Sequence, residues 1–344
     1  MLNKSEALLR RWDREGLVPG GVCCVRVQGK TIYTGAFGEY CDNHGMRPIR
    51  PDTPFDLASL TKVIITLPVI LGLIQEGTIG WNEPVSAYLD PFTHKGVKIK
   101  HLLQHLSGLP ADLPIVPRSA AGRDVLGEIY RARLESEPGR VVRYSDLGMI
   151  LLGELASRVG GRPIERLAQE RVLAPLDMRG TGYAVQLPEL TARAAATEYV
   201  DGRYLVGEVH DEKTWQMGGA SGSAGLFGTA EDLARYTDVW LDPGAARLLS
   251  PDLAAAALAH PRQGRGLGWE VHHDEAWRPV SCGLSWPPGS FGHTGFTGTS
   301  IWCEPQLRLA IVWLTNAVHA GRDRMPVRAL RRILHDSIRE ELGG

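Results

Sequence analysis

Phe55-Asp56-Leu57-Ala58-Ser59-Leu60-Thr61-Lys62 is the stretch on which the reading of this chain turns. Its Ser-x-x-Lys opens a helix expected from about Ser59 to Glu76, stopped by Gly77. Residues three apart share a helix face, so the Lys62 amine can reach the Ser59 hydroxyl. A helix N-terminus favours negative charge, which helps an alkoxide form. A lysine works as a base only when burial or neighbouring cations ease its proton off. The apolar run Val63-Ile64-Ile65 directly after Lys62 supplies a reason for burial. A four-residue pattern also arises by chance, so it needs partners elsewhere in the chain.

On the N-terminal side, Asn3 is a candidate cap for a first helix through about Glu15, which Gly16 would stop. Gly21 to Val27 and Lys30 to Phe37 are β-rich runs around Gln28-Gly29, the pattern of an antiparallel hairpin. The polar stretch Asp42 to Pro54 reads as a loop. Beyond Ser59 helical signals dominate to about Arg171, over Ile99 to Leu106, Gly122 to Arg133, Asp146 to Val159 and Pro163 to Val172. From Gly182 strand and loop signals return. The Gly-rich stretch Gly218 to Gly228 leads into a helix from Thr229 to Leu241. Gly266 to His272, Gly298 to Glu304 and Leu307 to Leu314 read as strands, and Pro326 to Leu342 as a last helix. The expected architecture is α/β and discontinuous: residues 1–58 and 182–344 form one lobe, residues 59–181 an inserted, mainly helical lobe, and the site lies in the cleft between them.

Two later motifs are candidates for the partners. Arg143-Tyr144-Ser145-Asp146 precedes the apolar helix beginning Leu147-Gly148-Met149. A Tyr at a loop-to-helix junction can present its phenol to a site and exchange a proton with Ser59. The same residues also fit a plainer reading, an amphipathic Tyr at the lobe's edge with Asp146 as helix cap. Phe291-Gly292-His293-Thr294-Gly295-Phe296-Thr297-Gly298 has three glycines in a strand-like run, so backbone can approach a ligand closely. In isolation it equally suits a bulged strand with an incidental His.

Taken together, Ser59-Leu60-Thr61-Lys62, Tyr144-Ser145-Asp146 and His293-Thr294-Gly295 resemble the three motifs of the serine β-lactamase and penicillin-binding-protein superfamily, and most of all its class C and esterase branch. Leu102 to Pro110, Gly218 to Leu226 and Leu314-Thr315-Asn316 also look like that family, so the resemblance spans nearly the whole chain. It implies a β-lactamase-like (transpeptidase-like) fold, with an antiparallel sheet flanked by helices. It implies Ser59 as nucleophile, Lys62 as its partner base, Tyr144 as general acid or base, and His293 in the place of the third motif's Lys or His. It further implies the backbone N–H groups of Ser59 and Phe296 as an oxyanion hole, Asp146, Thr294 and Gly295 as substrate-binding residues, and no metal or organic cofactor.

Two departures bear on substrate. Asp146 stands where the family usually has Asn; an ionised carboxylate only accepts hydrogen bonds, and pairing with Lys62 would make that lysine a weaker base. His293 stands where true β-lactamases commonly have Lys, and a neutral imidazole attracts a substrate carboxylate less than an ammonium does. Both favour an esterase, or an amidase or peptidase of D-amino-acid-type substrates. A true β-lactamase or D-alanyl carboxypeptidase is one alternative, and a fold-retaining binding module with little turnover is another.

The 344 residues are 43% hydrophobic and 22% charged, enough for a large core. With 38 Lys plus Arg against 39 Asp plus Glu, the net charge of −1 gives no global case for nucleic acid or an anionic membrane as partner; a small ester, amide or β-lactam is the expected one. Cys23, Cys24, Cys41, Cys282 and Cys303 are odd in number and irregularly spaced, which argues against a disulfide framework or zinc ribbon and for reduced thiols. Cys23 and Cys24 should point to opposite faces of a strand. The charged N-terminal sequence has no secretion-signal pattern, so the expected location is cytoplasmic. His101 and His105 have a zinc-ligand spacing without the Glu of the zinc motif, and a helix-packing or loop-anchoring role is the preferred reading. His272-His273 diverge on a strand. Gly219 to Ser223 fails the nucleophile-elbow pattern, though Ser221 and Ser223 are candidates to line the cleft. Trp215, Trp286 and Pro287-Pro288 are candidates for an aromatic wall, with simple packing preferred.

Overall fold

The computed structural model describes residues 2–118, 122–274, 281–323 and 325–343. The hairpin expected around Gln28-Gly29 is the start of a seven-stranded antiparallel sheet. Its order is Gly45–Pro48, Lys30–Asp42, Gly20–Val27, Leu309–Thr315, Ser300–Glu304, Phe291–Thr294 and Glu270–Val271. The two ends of the sequence thus meet at its centre, where Gly21 faces Thr315 and Val27 faces Leu309.

At its centre this sheet is buried on both faces, which explains why residues 22–25 and 309–314 are apolar without a break. Val22 and Cys24 face one core with Ala310, Val312 and Leu314. Cys23 and Val25 face a second core with Leu309, Ile311 and Trp313. Cys23 and Cys24 therefore do diverge, and no disulfide joins any of the five cysteines. The second core is closed by the helices Asn3–Arg14 and Met325–Glu341, with Trp12 against Trp313 at 6.0 Å. The first core is larger and takes in the helices Leu67–Gln75 and Asp146–Gly160.

Several expected elements differ, each for a local reason. Asn3 is not a cap but the first helical residue. The open N–H groups of Lys4 and Ser5 are met instead by the carboxylate of Glu341, at 2.8 and 2.9 Å, from the far end of the sequence. The expected Asp42 to Pro54 loop contains the four-residue edge strand Gly45–Pro48, exposed throughout and therefore without an alternating apolar signal. The expected strand Gly266 to His272 shrinks to Glu270–Val271, because Gly268 takes a left-handed φ of 73° and the chain turns there. The expected helix after Ser59 opens with a tight turn at Ala58–Leu60 and a wide one at Lys62–Thr66 before becoming regular. Ala58–Gln75 is long and apolar enough to cross a membrane by composition, yet most of it is enclosed in the larger core.

Candidate active site

Ser59 is held in place by the residues just before it. Phe55–Asp56 pairs with Leu226–Gly228, and the Leu57 N–H donates to the Leu226 carbonyl at 2.9 Å. The buried carboxylate of Asp56 accepts the Ala58 N–H at 2.8 Å and the His210 N–H at 2.6 Å, while burial pushes its pKa up. Ala58 takes a left-handed φ of 44°, which an L-residue resists, so the surrounding bonds hold a strained joint immediately before the nucleophile candidate.

From this joint Ser59 turns toward Lys62, whose Nζ lies 2.9 Å from the Ser59 Oγ. The Lys62 ammonium is fully buried. It also donates to the Ser223 carbonyl at 2.9 Å and forms an ion pair with Asp146 Oδ1 at 2.8 Å. Burial pushes the lysine pKa down, but Asp146 and Tyr144 push it up by more, so the balance is a raised value and a resident cation. Ser223 thus serves through its backbone, and Ser221 ties the loop together by bonding Thr214 and Ser223 at 2.8 and 3.1 Å.

Tyr144 sits at a turn bolted to the segment Leu102 to Ala111. The helix Ile99–Leu103 ends there because His105 goes left-handed, with φ 56°. That kink brings the His105 ring within 4.6 Å of the Tyr144 ring. His105 Nδ1 accepts the Ser145 N–H at 3.1 Å, and the His105 carbonyl accepts the Arg143 N–H at 2.7 Å. His105 therefore anchors a loop, the turn that carries Tyr144. Ser145, not Asp146, caps the helix Asp146–Gly160, accepting the Gly148 N–H at 3.4 Å. Asp146 is left free to reach Lys62. Burial pushes the Tyr144 phenol pKa up, against a downward pull from Lys62 and a hydrogen bond from Ser59, and leaves it raised. Lys62 and Arg265 lie 5.3 and 5.0 Å from its ring.

The third motif forms the opposite wall. Thr297 Oγ1 donates to the Asp56 carbonyl at 2.6 Å and Thr299 Oγ1 to the Leu57 carbonyl at 3.2 Å, so this turn and the Ser59 turn are cross-linked. A Cβ on Gly295 would fall 2.5 Å from the Leu57 oxygen, which is why only glycine fits. His293 Nδ1 donates to the Thr294 carbonyl at 2.9 Å, leaving Nε2 as an acceptor. Burial first, then Arg265 and Lys62, hold its pKa far below the ordinary imidazole value, so the ring is neutral.

Ser59, Tyr144, Asp146, His293, Thr294, Gly295 and Phe296 all line one cavity of about 400 Å³, and Lys62 touches it through Ser59. The sequence-predicted residues are thus together. Trp286 is not among them: it is buried in the second core, with Nε1 bonded to the His335 carbonyl at 3.2 Å. Trp215 instead carries Arg118 over its ring at 5.3 Å. Among the described residues no group of three or more His, Cys, Asp or Glu side chains is arranged to hold a metal ion.

Five charged residues stand outside the motifs. Lys213, buried, bonds Asp112 at 2.8 Å and Asp211 at 3.0 Å and lies 3.7 Å from Asp146. Arg265 lines the cavity beside Tyr144 and pairs with Glu270 at 3.1 Å. None of these stands in a short motif, and only the fold brings them in.

This fold is that of the serine β-lactamases and penicillin-binding proteins, a class whose members are serine hydrolases. The chain belongs to the Beta-lactamase family, whose profile matches residues 6–335. A Salmonella enteritidis protein named "Putative D-alanyl-D-alanine carboxypeptidase" is 32% identical over 311 residues, covering 79% of this chain and 72% of its own. Similar solved structures include EstCE1, a hydrolase with promiscuous acyltransferase activity, at TM-score 0.75 and 24% identity over 97% of this chain and 98% of that one. The octameric penicillin-binding protein homologue from Pyrococcus abyssi superposes at 0.75 with 21% identity, covering 96% and 77%. Simvastatin synthase from Aspergillus terreus, unliganded, superposes at 0.76 with 20% identity, covering 98% of each chain. At these identities the structural likenesses speak for the fold.

Proposed function

We propose that the protein cleaves carboxylic ester or amide bonds through an acyl-enzyme on Ser59. The observation that carries this is the 2.9 Å contact between Ser59 Oγ and the buried Lys62 Nζ, in a cavity that also holds Tyr144. Lys62 as found has no lone pair to offer, and Tyr144 as found keeps its phenol proton. The pair becomes basic by losing one proton, whichever of the two atoms releases it. In that form it takes the Ser59 proton as Oγ attacks the carbonyl carbon. The N–H groups of Ser59 and Phe296 receive the developing oxyanion. The C–O or C–N bond then breaks, and the pair returns the proton to the leaving alcohol or amine. Water repeats the sequence on the acyl-enzyme, which restores Ser59.

The substrate favoured is an ester, or an amide or peptide of D-amino-acid type. The neutral His293, presenting an acceptor rather than a cation, supports this over an efficient β-lactamase. The name carried by the Salmonella relative supports the peptide side of the range. Reaction with a fluorophosphonate, read by intact mass, should add one adduct to the wild type and none to Ser59→Ala. An unlabelled wild type would count against the hydrolase reading and for a binding module. Ester and D-alanyl-peptide panels then separate the substrates.

A further inference from the structure

We propose that Lys213 is a positioning residue of this site, which fixes Asp146 against Lys62 and sets how firmly the Lys62–Tyr144 pair holds its proton. The inference rests on the acyl-enzyme reading above. Asp146 lies between two buried ammonium groups: Oδ1 is 2.8 Å from Lys62 and Oδ2 is 3.7 Å from Lys213. With a cation near each oxygen, the orientation that points Oδ1 at Lys62 is electrostatically favoured over the others. Lys213 comes from the short helix Glu212–Gln216, whose cap is Asp211, with the Thr214 N–H donating to Asp211 Oδ1 at 2.8 Å. The lysine is therefore anchored by its helix and by Asp211 at 3.0 Å before it meets Asp146.

Charge gives the arrangement a sign. The groups around the Lys62–Tyr144 pair are Asp146 on its helix, Lys213, Asp211 and Asp112 on one side, and Arg265 with Glu270, His293 and His105 on the other. Both imidazoles are held neutral by burial. Within the Lys213 group, one cation faces three carboxylates, Asp112, Asp146 and Asp211. Removing the cation leaves the negative charge uncompensated beside the pair and tightens the pair's proton. Removing Asp112, which sits on the exposed side of Lys213, leaves more net positive charge and loosens it.

The test is the pH dependence of the rate at which a fluorophosphonate labels Ser59, in wild type, Lys213→Met, Lys213→Arg and Asp112→Asn. Lys213→Met should label about tenfold more slowly than wild type on the rising limb, with the limb displaced to higher pH. Lys213→Arg should restore the rate to within about threefold, because it returns the charge. Asp112→Asn should label faster, by roughly threefold, with the limb displaced to lower pH. Structural damage alone would slow every variant, so acceleration by Asp112→Asn together with rescue by arginine supports the proposal. Limbs that coincide in all four proteins would overturn it while leaving the acyl-enzyme reading intact. A wild type that never labels would overturn both.

Discussion

Replacing Asp146 by Asn tests the charge argument at its centre. Asp146 Oδ1 lies 2.8 Å from Lys62 Nζ, with the lysine buried and the carboxylate nearly so. At that distance two unit charges attract by about 6 kcal/mol for an effective dielectric of about 20. An amide oxygen still accepts from the ammonium, and Lys213 already draws on the same carboxylate. If a quarter to a half of the attraction bears on proton loss, the variant gains about 1.5–3 kcal/mol, roughly ten- to a hundredfold in the basic form of the pair. The sign follows from the protonation states: a raised Lys62 value keeps the pair inactive to higher pH, and removing the carboxylate lowers it. The assay is the second-order rate of Ser59 labelling, and of nitrophenyl-ester hydrolysis, between about pH 6 and 9. Asp146→Asn should be faster throughout the rising limb, which moves to lower pH. An unchanged rate with an unmoved limb would refute the claim that Asp146 restrains the pair.

Three other outcomes are expected. Burial lowers the His335 pKa from 6.5 to about 3, and burial also holds His105 and His293 well below 6.5. These groups cost nothing above pH 6.5, but below it the unfolded chain takes up protons the folded one refuses, so stability should fall by about 1.4 kcal/mol per pH unit for each. Urea unfolding at about pH 7 and 5 measures this, and a stability independent of pH over that window would contradict it. Ala58→Gly should raise stability by about 0.5–1 kcal/mol, since the φ of 44° costs glycine little, while loosening the Ser59 turn and lowering kcat. A clear loss of stability would show that the joint is not strained. Gly295→Ala drives a Cβ to 2.5 Å from the Leu57 oxygen and should lower kcat by about a hundredfold or more with KM less affected, measured on any turned-over ester.

The motifs around Ser59, Tyr144 and His293 were legible because each couples a reactive side chain to a local requirement: a shared helix face, a loop-to-helix junction, a glycine that lets backbone approach. The same holds for the strand Gly20–Val27, whose apolar residues 22–25 match the doubly covered centre of the sheet. The edge strand Gly45–Pro48 was not legible, since exposure on all four residues leaves no pattern. The spacing of His101 and His105 leaves helix packing and loop anchoring both open, and the part of His105 in seating Tyr144 depends on a left-handed kink that composition does not announce. Lys213 and Arg265 stand in no motif, and their place beside Tyr144 and Asp146 depends on tertiary contacts such as that of Lys213 with Asp112, 101 positions away.

The bond from Thr297 to the carbonyl of Asp56 spans 241 positions. At a synthesis rate of about 5–20 residues per second, the ribosome needs on the order of ten to fifty seconds to cover that interval. Throughout it the turn that presents Ser59 lacks its brace, and the Gly20–Val27 strand lacks its Leu309–Thr315 neighbour. The nascent chain therefore carries an apolar strand open on one edge and an unbraced Ser59 turn until its last strands emerge. The turn around Ser59 is completed late in folding, and a chain interrupted before Thr297 would be prone to pair its open edge with another copy.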